Sequence, residues 1–129
     1  MISLEVRSAD CSLDVLTEII GGRPSGSSHS IGDVRFQKKI WANTVYKYEI
    51  GEYDETNIFE AWGKLRQDCI NLSDGFNRAV MRFPSHTRIV ANIGIISNTP
   101  SISILVPSNI IKLLAAEEIG LEITTYQCE

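Results

Sequence analysis

The sequence predicts an α+β domain in which helices pack on one face of a mixed, largely antiparallel sheet. Three observations predict it. Near-strict alternation of apolar and polar residues opens and closes the chain, at Ile2-Ser3-Leu4-Glu5-Val6-Arg7 and Leu121-Glu122-Ile123-Thr124-Thr125-Tyr126. That is the period of a strand with one buried face. Apolar residues at helical spacing lie between these ends, above all Ile58, Trp62, Leu65 and Cys69, which fall on one helical stripe. Clusters of Gly, Pro, Ser and Asn punctuate the segments. A chain of 129 residues, 43% hydrophobic and 22% charged, forms one domain, 1–129, and has the size to build a core without a disulfide or structural metal.

After the first strand, Asp10 or Ser12 can cap a helix, because a short side-chain oxygen accepts from the free N–H groups of the first turn. Leu13, Leu16 and Ile20 line one side of that helix, with Val15 and Ile19 beside them, while Asp14 and Glu18 face water. Gly21-Gly22 ends it, since glycine enters the left-handed conformation at low cost. The following stretch to Asp33 has loop composition. Residues 34–40 and 41–50 read as two strands of a hairpin turning near Ala42-Asn43.

Asp54 or Thr56 opens a longer helix, which Asn71-Leu72-Ser73 is expected to break. Ser73 then caps a short second helix carrying Phe76, Val80 and Phe83, and Pro84 stops it. Residues 87–97 form an Ile- and Val-rich strand. Asn98-Thr99-Pro100 turns the chain, and 101–106 returns as the second arm of an antiparallel hairpin. Ser108 caps the last helix, with Ile110, Ile111, Leu113, Leu114 and Ile119 on its apolar side and Gly120 just past its end. The predicted order is β-α-β-β-α-α-β-β-α-β.

Sixteen acidic and 12 basic side chains give a net charge of −4. Phosphate-driven binding of nucleic acid needs a basic surface, and the longest basic run is Lys38-Lys39, so a basic protein is the expected partner rather than DNA or RNA. The N-terminus has no basic segment followed by an apolar one, and the apolar run 102–107 is far too short to cross a bilayer. The expectation is a cytoplasmic protein with no membrane partner. Cys11, Cys69 and Cys128 are odd in number and widely spaced, which predicts reduced thiols.

Several short segments resemble the bacterial domain-of-unknown-function family numbered 4279. They are Gly22-x-Pro24-Ser25 with Gly32-Asp33 downstream and a strand bearing Trp41, then Pro107-x-x-Ile110-x-x-Leu113 and Gly120-Leu121-Glu122-Ile123-x-x-Tyr126. The similarity spans nearly the whole chain. It departs in the final strand, where Thr124 and Thr125 stand where an acidic residue would be usual. The resemblance implies the fold and brings no activity with it.

No catalytic constellation is legible. A metal site needs several Cys, His or carboxylate ligands at workable spacing, whereas His29 and His86 stand far apart and no Cys-x-x-Cys or His-Glu-x-x-His occurs. A Cys11–His29 nucleophilic pair would need a lowered thiol pKa that nothing in the sequence supplies. No metal or cofactor is expected. The Gly/Ser-rich loop 21–33 can offer N–H groups and hydroxyls to an anion, with Arg23 and His29 nearest, yet it lacks both phosphate-loop spacings. It supports a rival reading as a small-ligand domain or enzyme, while its plain reading is a mobile connection. Trp41 and Trp62 both read as core.

The acidic residues are uneven. Glu49, Glu52, Asp54, Glu55 and Glu60 fall close together, and Glu117, Glu118, Glu122 and Glu129 gather at the end. Tyr48 and Tyr53 lie within the first group, with Tyr46 nearby. Helix-start acids on a solvated face account for such clusters. An acidic docking surface accounts for them too, because it speeds encounter with a basic partner and orients it. The expectation is a non-enzymatic protein-binding inhibitor, namely a bacterial immunity protein that neutralises a basic, nuclease-type toxin, as in contact-dependent growth inhibition. It would bind through Glu49, Glu52, Asp54, Glu55, Tyr48 and Tyr53.

Overall fold

A computed structural model describes residues 1–33, 41–97 and 103–127. Its elements are β1 (Ile2–Ser8), α1 (Leu13–Ile20), β2 (Thr44–Gly51), α2 (Ile58–Arg82), β3 (Thr87–Ser97), α3 (Ser108–Ala116) and β4 (Ile119–Gln127). The strands form one sheet in the order β2-β1-β3-β4. β1 pairs antiparallel with β2 and β3, and β3 pairs parallel with β4. The α+β class and the mixed sheet agree with the sequence reading.

One face of the sheet carries Ile2, Leu4 and Val6 of β1, Tyr46 and Ile50 of β2, and Ile89, Ala91 and Ile93 of β3. These form a single buried cluster with Leu16 and Ile20 of α1, Trp62, Leu65 and Phe76 of α2, and Ile110 and Leu114 of α3. All three helices therefore cover the same face. Ser12 caps α1, its hydroxyl accepting from the Val15 N–H at 3.4 Å, and Gly21 closes it in the left-handed region at φ 81°. Gly75 lets α1 and α2 approach closely: a Cβ there would lie 2.6 Å from the Ile20 carbonyl oxygen.

The structure corrects four expectations. α2 runs unbroken through Asn71-Leu72-Ser73, because Cys69, Leu72, Phe76 and Ala79 continue the buried stripe at helical spacing. The polar residues there face outward and find partners. Asn71 accepts from Gln67 Nε2 at 3.1 Å, and Ser73, no cap, donates to Glu117 Oε2 at 3.0 Å.

Trp41 precedes β2 rather than forming part of it. Its N–H donates to the Asp33 carbonyl at 2.9 Å and its carbonyl accepts from Gly32 at 3.0 Å. Ala42 and Asn43 thus lead into β2, whose sheet partner is β1; the proposed strand 34–40 lies outside the described residues.

The second hairpin is replaced by a crossover. Residues 103–106 are not a strand, and β3 connects through α3 to the parallel β4. The turn at 98–100 and residues 101–102 lie outside the described residues. Finally, α3 stops at Ala116, with Glu117 as C-cap and Glu118 at φ 56°. Ile119 and Gly120 open β4 instead of ending the helix. Ser108 is the first residue of α3, whose N-cap is Pro107 without a side-chain hydrogen bond.

Candidate functional site

β1 is the strand on which the alternating pattern misleads. Ser3 and Glu5 are as hidden as its apolar residues, at 1% and 5% exposed. A central strand has neighbours on both sides, so even its helix-free face is shielded by adjacent side chains. A buried charge must be compensated, and this one is. Arg7 Nε donates to Glu5 Oε1 at 3.1 Å, while Ser3 Oγ donates to Glu5 Oε2 at 3.3 Å. Arg7 Nη1 and Nη2 reach across β3 to Glu122 Oε2 and Oε1 at 2.9 and 2.7 Å. Asn92 Nδ2 donates both to Glu122 Oε1 at 2.7 Å and to Thr124 Oγ1 at 3.2 Å. Ser3, Glu5, Arg7, Asn92, Glu122 and Thr124 thus form one connected polar network on the helix-free face. Its strongest electrostatic signature is at Glu122: the Arg7 hydrogen bonds hold that carboxyl down at about 2, against a smaller upward push from burial.

The loop before β2 is pinned rather than loose. The Ser25 N–H donates to the Lys47 carbonyl at 2.8 Å, and Ser28 Oγ both accepts from the Lys47 N–H and donates to its carbonyl. His29 and Val45 exchange two backbone hydrogen bonds at 3.0 and 2.8 Å, an isolated antiparallel bridge on the β2 edge. This brings the His29 ring onto the Trp41 indole, with centroids 3.5 Å apart and planes 14° from parallel.

The stacked rings wall one side of an open groove on the helix-free face, with a volume of about 610 Å³. Lys47 and Arg88 line it, along with the Glu5–Arg7–Glu122 network. His29 Nε2 is buried and has no hydrogen-bond partner among the described residues. Burial lowers the pKa of that imidazole, which a hydrogen bond with the Ser27 backbone opposes.

Of the residues singled out from sequence, Ser27 and His29 of the Gly/Ser-rich loop reach the groove, while Arg23 does not line it. Trp62 is core at 6% exposure; Trp41 is not, and lines the groove instead. The acidic residues Glu49, Glu52, Asp54 and Glu55 are all exposed, at the end of β2 and in the turn before α2. Glu49 accepts from Ser27 Oγ at 3.2 Å. Asp54 Oδ1 accepts from the hydroxyl and N–H of Thr56, which hold its carboxyl below the usual range.

Tyr48 and Tyr53 are half-buried and pack against the core. Lys64 Nζ stands 5.9 Å from the Tyr48 ring centroid, and the Tyr53 ring lies over Gly51. They back the acidic patch more than they tip it.

The cysteine chemistry weighed from sequence finds no support. Cys11 Sγ donates to Ser8 Oγ at 3.6 Å and burial raises its pKa; burial pushes the Cys69 thiol up to about 11. Both are free thiols. His86 Nδ1 lies 3.1 Å from Asp10 Oδ1 at an exposed position. Among the described residues no group of three or more His, Cys, Asp or Glu could hold a metal ion, and no helix is long and apolar enough to cross a membrane.

Sequence reasoning missed Lys47, Arg88, Asn92 and the role of Arg7. The alternation at 2–7 and 121–126 placed Arg7 and Glu122 on outward positions. Nothing local shows that their strands flank β3 and that the two residues meet. No protein-family model, curated protein or solved structure matches the chain, so its role is argued from its own residues.

Proposed function

We propose that this chain is a non-catalytic, cytoplasmic protein-binding inhibitor, an immunity protein that occludes the site of a basic toxin. One observation supports it most. Glu49, Glu52, Asp54 and Glu55 are all exposed, close together along the chain at the end of β2 and in the turn before α2, and none makes an ion pair with a described residue. The backbone beneath them is held by β2 and by the Asp54–Thr56–Asn57 turn, in which the Asp54 N–H donates to Asn57 Oδ1 at 2.7 Å. An unneutralised acidic edge on a fixed scaffold is suited to a cationic partner, because complementary charge steers encounter and fixes register. A nuclease-type toxin presents such a surface where it would hold phosphate. The resemblance to the family numbered 4279 is compatible with this reading and adds no activity to it.

The test is growth rescue. The product of the gene immediately upstream of this chain's own is expressed alone, with wild type, or with the combined Glu49→Gln, Glu52→Gln, Asp54→Asn and Glu55→Gln variant, and is expected to arrest growth when alone. Wild type is expected to restore growth. The variant, expressed and melting as wild type does, is expected to lose most rescue, with association slowed most at low salt, where screening is weakest. Full rescue by the variant overturns the placement of the surface, and failure of wild type to rescue overturns the inhibitor reading.

A further inference from the structure

The groove on the helix-free face holds more cations than carboxylates. Two carboxylates, Glu5 and Glu122, face three cations, Arg7, Lys47 and Arg88. The carboxylate oxygens are already occupied by Ser3, Arg7 and Asn92. Arg7 is therefore matched, while the side chains of Lys47 and Arg88 have no hydrogen-bond or ion-pair partner among the described residues.

The sheet register places these two cations together. Glu5 lies opposite Lys47 on one side, and Arg7 lies opposite Arg88 on the other. Their strands flank β1 and the two positions are offset by two residues along it, so the backbones are about 12 Å apart at the usual strand spacing and rise, within joint reach of two long side chains. At the same end stands the His29–Trp41 stack with the unpartnered, buried Nε2. An imidazole adds no negative charge, so with three cations against two carboxylates the groove lining is net positive.

We propose that this groove binds a small organic anion carrying a planar ring, its anionic group between Lys47 and Arg88 and its ring against the His29–Trp41 wall. The volume of about 610 Å³ suits such a ligand, since small-molecule sites typically span about 300–1,000 Å³. Charge complementarity selects the anion: unfilled N–H donors on cations form the stronger class of hydrogen bond. The aromatic wall selects the flat ring. Mononucleotides and aromatic carboxylates share this chemistry. The acidic docking edge contributes none of these residues and, among the described residues, touches the groove only where Glu49 accepts from Ser27 Oγ.

The full chain is titrated with the 5′-mononucleotides, indole-3-acetate and 4-hydroxybenzoate, with inorganic phosphate and adenosine as controls, followed by amide and indole N–H chemical shifts. At least one ring-bearing anion is expected to bind with Kd below about 1 mM, moving the resonances of Lys47, Arg88 and the Trp41 indole. Phosphate and adenosine are expected to bind about tenfold more weakly or not at all. Lys47→Met and Arg88→Met should each weaken binding about tenfold, the weight of one hydrogen bond to a charged group, with melting unchanged. Which of the two anion classes binds tighter identifies the source.

Binding by none of the ring-bearing anions overturns the proposal. So do shifts that map away from the groove, and so does affinity unchanged in both variants. Phosphate binding as tightly as its ring-bearing counterparts overturns the role of the aromatic wall.

Discussion

Arg7 and Glu122 stand 115 residues apart in sequence and meet in a two-pronged ion pair, 2.7 and 2.9 Å, that bridges β1 to the edge strand β4 across β3. Paired guanidinium and carboxylate groups in this geometry form strong, directional contacts. Glu122 is 44% exposed, so solvent screening discounts its large pKa depression as a source of stability. Glu122→Gln is expected to cost about 0.5–1 kcal/mol at pH 7, the upper end for a partly exposed pair. The folded pKa lies below the unfolded one, so the carboxylate stabilises fully above its ordinary value of 4.5 and loses this contribution as pH falls toward about 2. Chemical denaturation of both forms from pH 7 to 2 should show the difference closing over that window; a gap that persists at pH 2 refutes the ionic origin.

Two glycines of α2 should respond oppositely to alanine. At Gly63 an added Cβ meets nothing within 4 Å, so Gly63→Ala should stabilise by about 0.5–1 kcal/mol through helix propensity alone. At Gly75 it would meet the Ile20 carbonyl oxygen at 2.6 Å and Cγ2 at 3.2 Å. Backbone must then move, and overpacking of about 1–3 kcal/mol outweighs the propensity gain. Thermal melts of the two variants check the signs, and a stabilised Gly75→Ala would mean that α1 and α2 are not in close contact.

Tyr46 is fully buried, and its hydroxyl has no hydrogen-bond partner among the described residues. The ring contributes by packing edge-on to Phe76 at 6.1 Å; the hydroxyl is desolvated without return. Tyr46→Phe keeps the ring and removes a buried unsatisfied group, a change that is neutral to stabilising by about 1 kcal/mol. A loss above about 1 kcal/mol in urea would reveal a partner for the hydroxyl.

The thiols should separate by reactivity. The thiolate is the reactive form, and burial holds Cys69 at about 11 while leaving Cys11 raised but half-buried. In a Cys128→Ser background, Ellman's reagent at pH 8 is expected to label Cys11 slowly and Cys69 only after unfolding. Rapid labelling of both in the native protein would contradict the packing of Cys69 against the core.

Local pattern was enough for the strands at both ends, to narrow the first cap to Asp10 or Ser12 and the close to Gly21-Gly22, and for the stripe of Ile58, Trp62 and Leu65. Each depends on neighbours within a turn or two of chain, where side-chain period and capping chemistry act directly. The acidic group from Glu49 to Glu55 was legible for the same reason, since a short segment ending a strand and entering a helix stays together in any fold.

What tertiary structure alone decided is which strands are neighbours. Alternation marks one face of β1 as polar, but only its central position, between β2 and β3, buries Ser3 and Glu5 and gives Arg7 a partner on β4. Asn71 and Ser73 looked like breakers because their intrinsic preferences oppose a helix; Ser73's bond to Glu117 and the apolar stripe continuing through Leu72 and Phe76 override a weak local bias. Residues 103–106 carry strand-like composition, yet β3 takes β4 as its parallel partner through α3. The groove follows from the same long-range pairings. His29, Lys47, Arg88 and Glu122 come from four separate segments, and only the sheet order and the loop pinned along β2 bring them to one face.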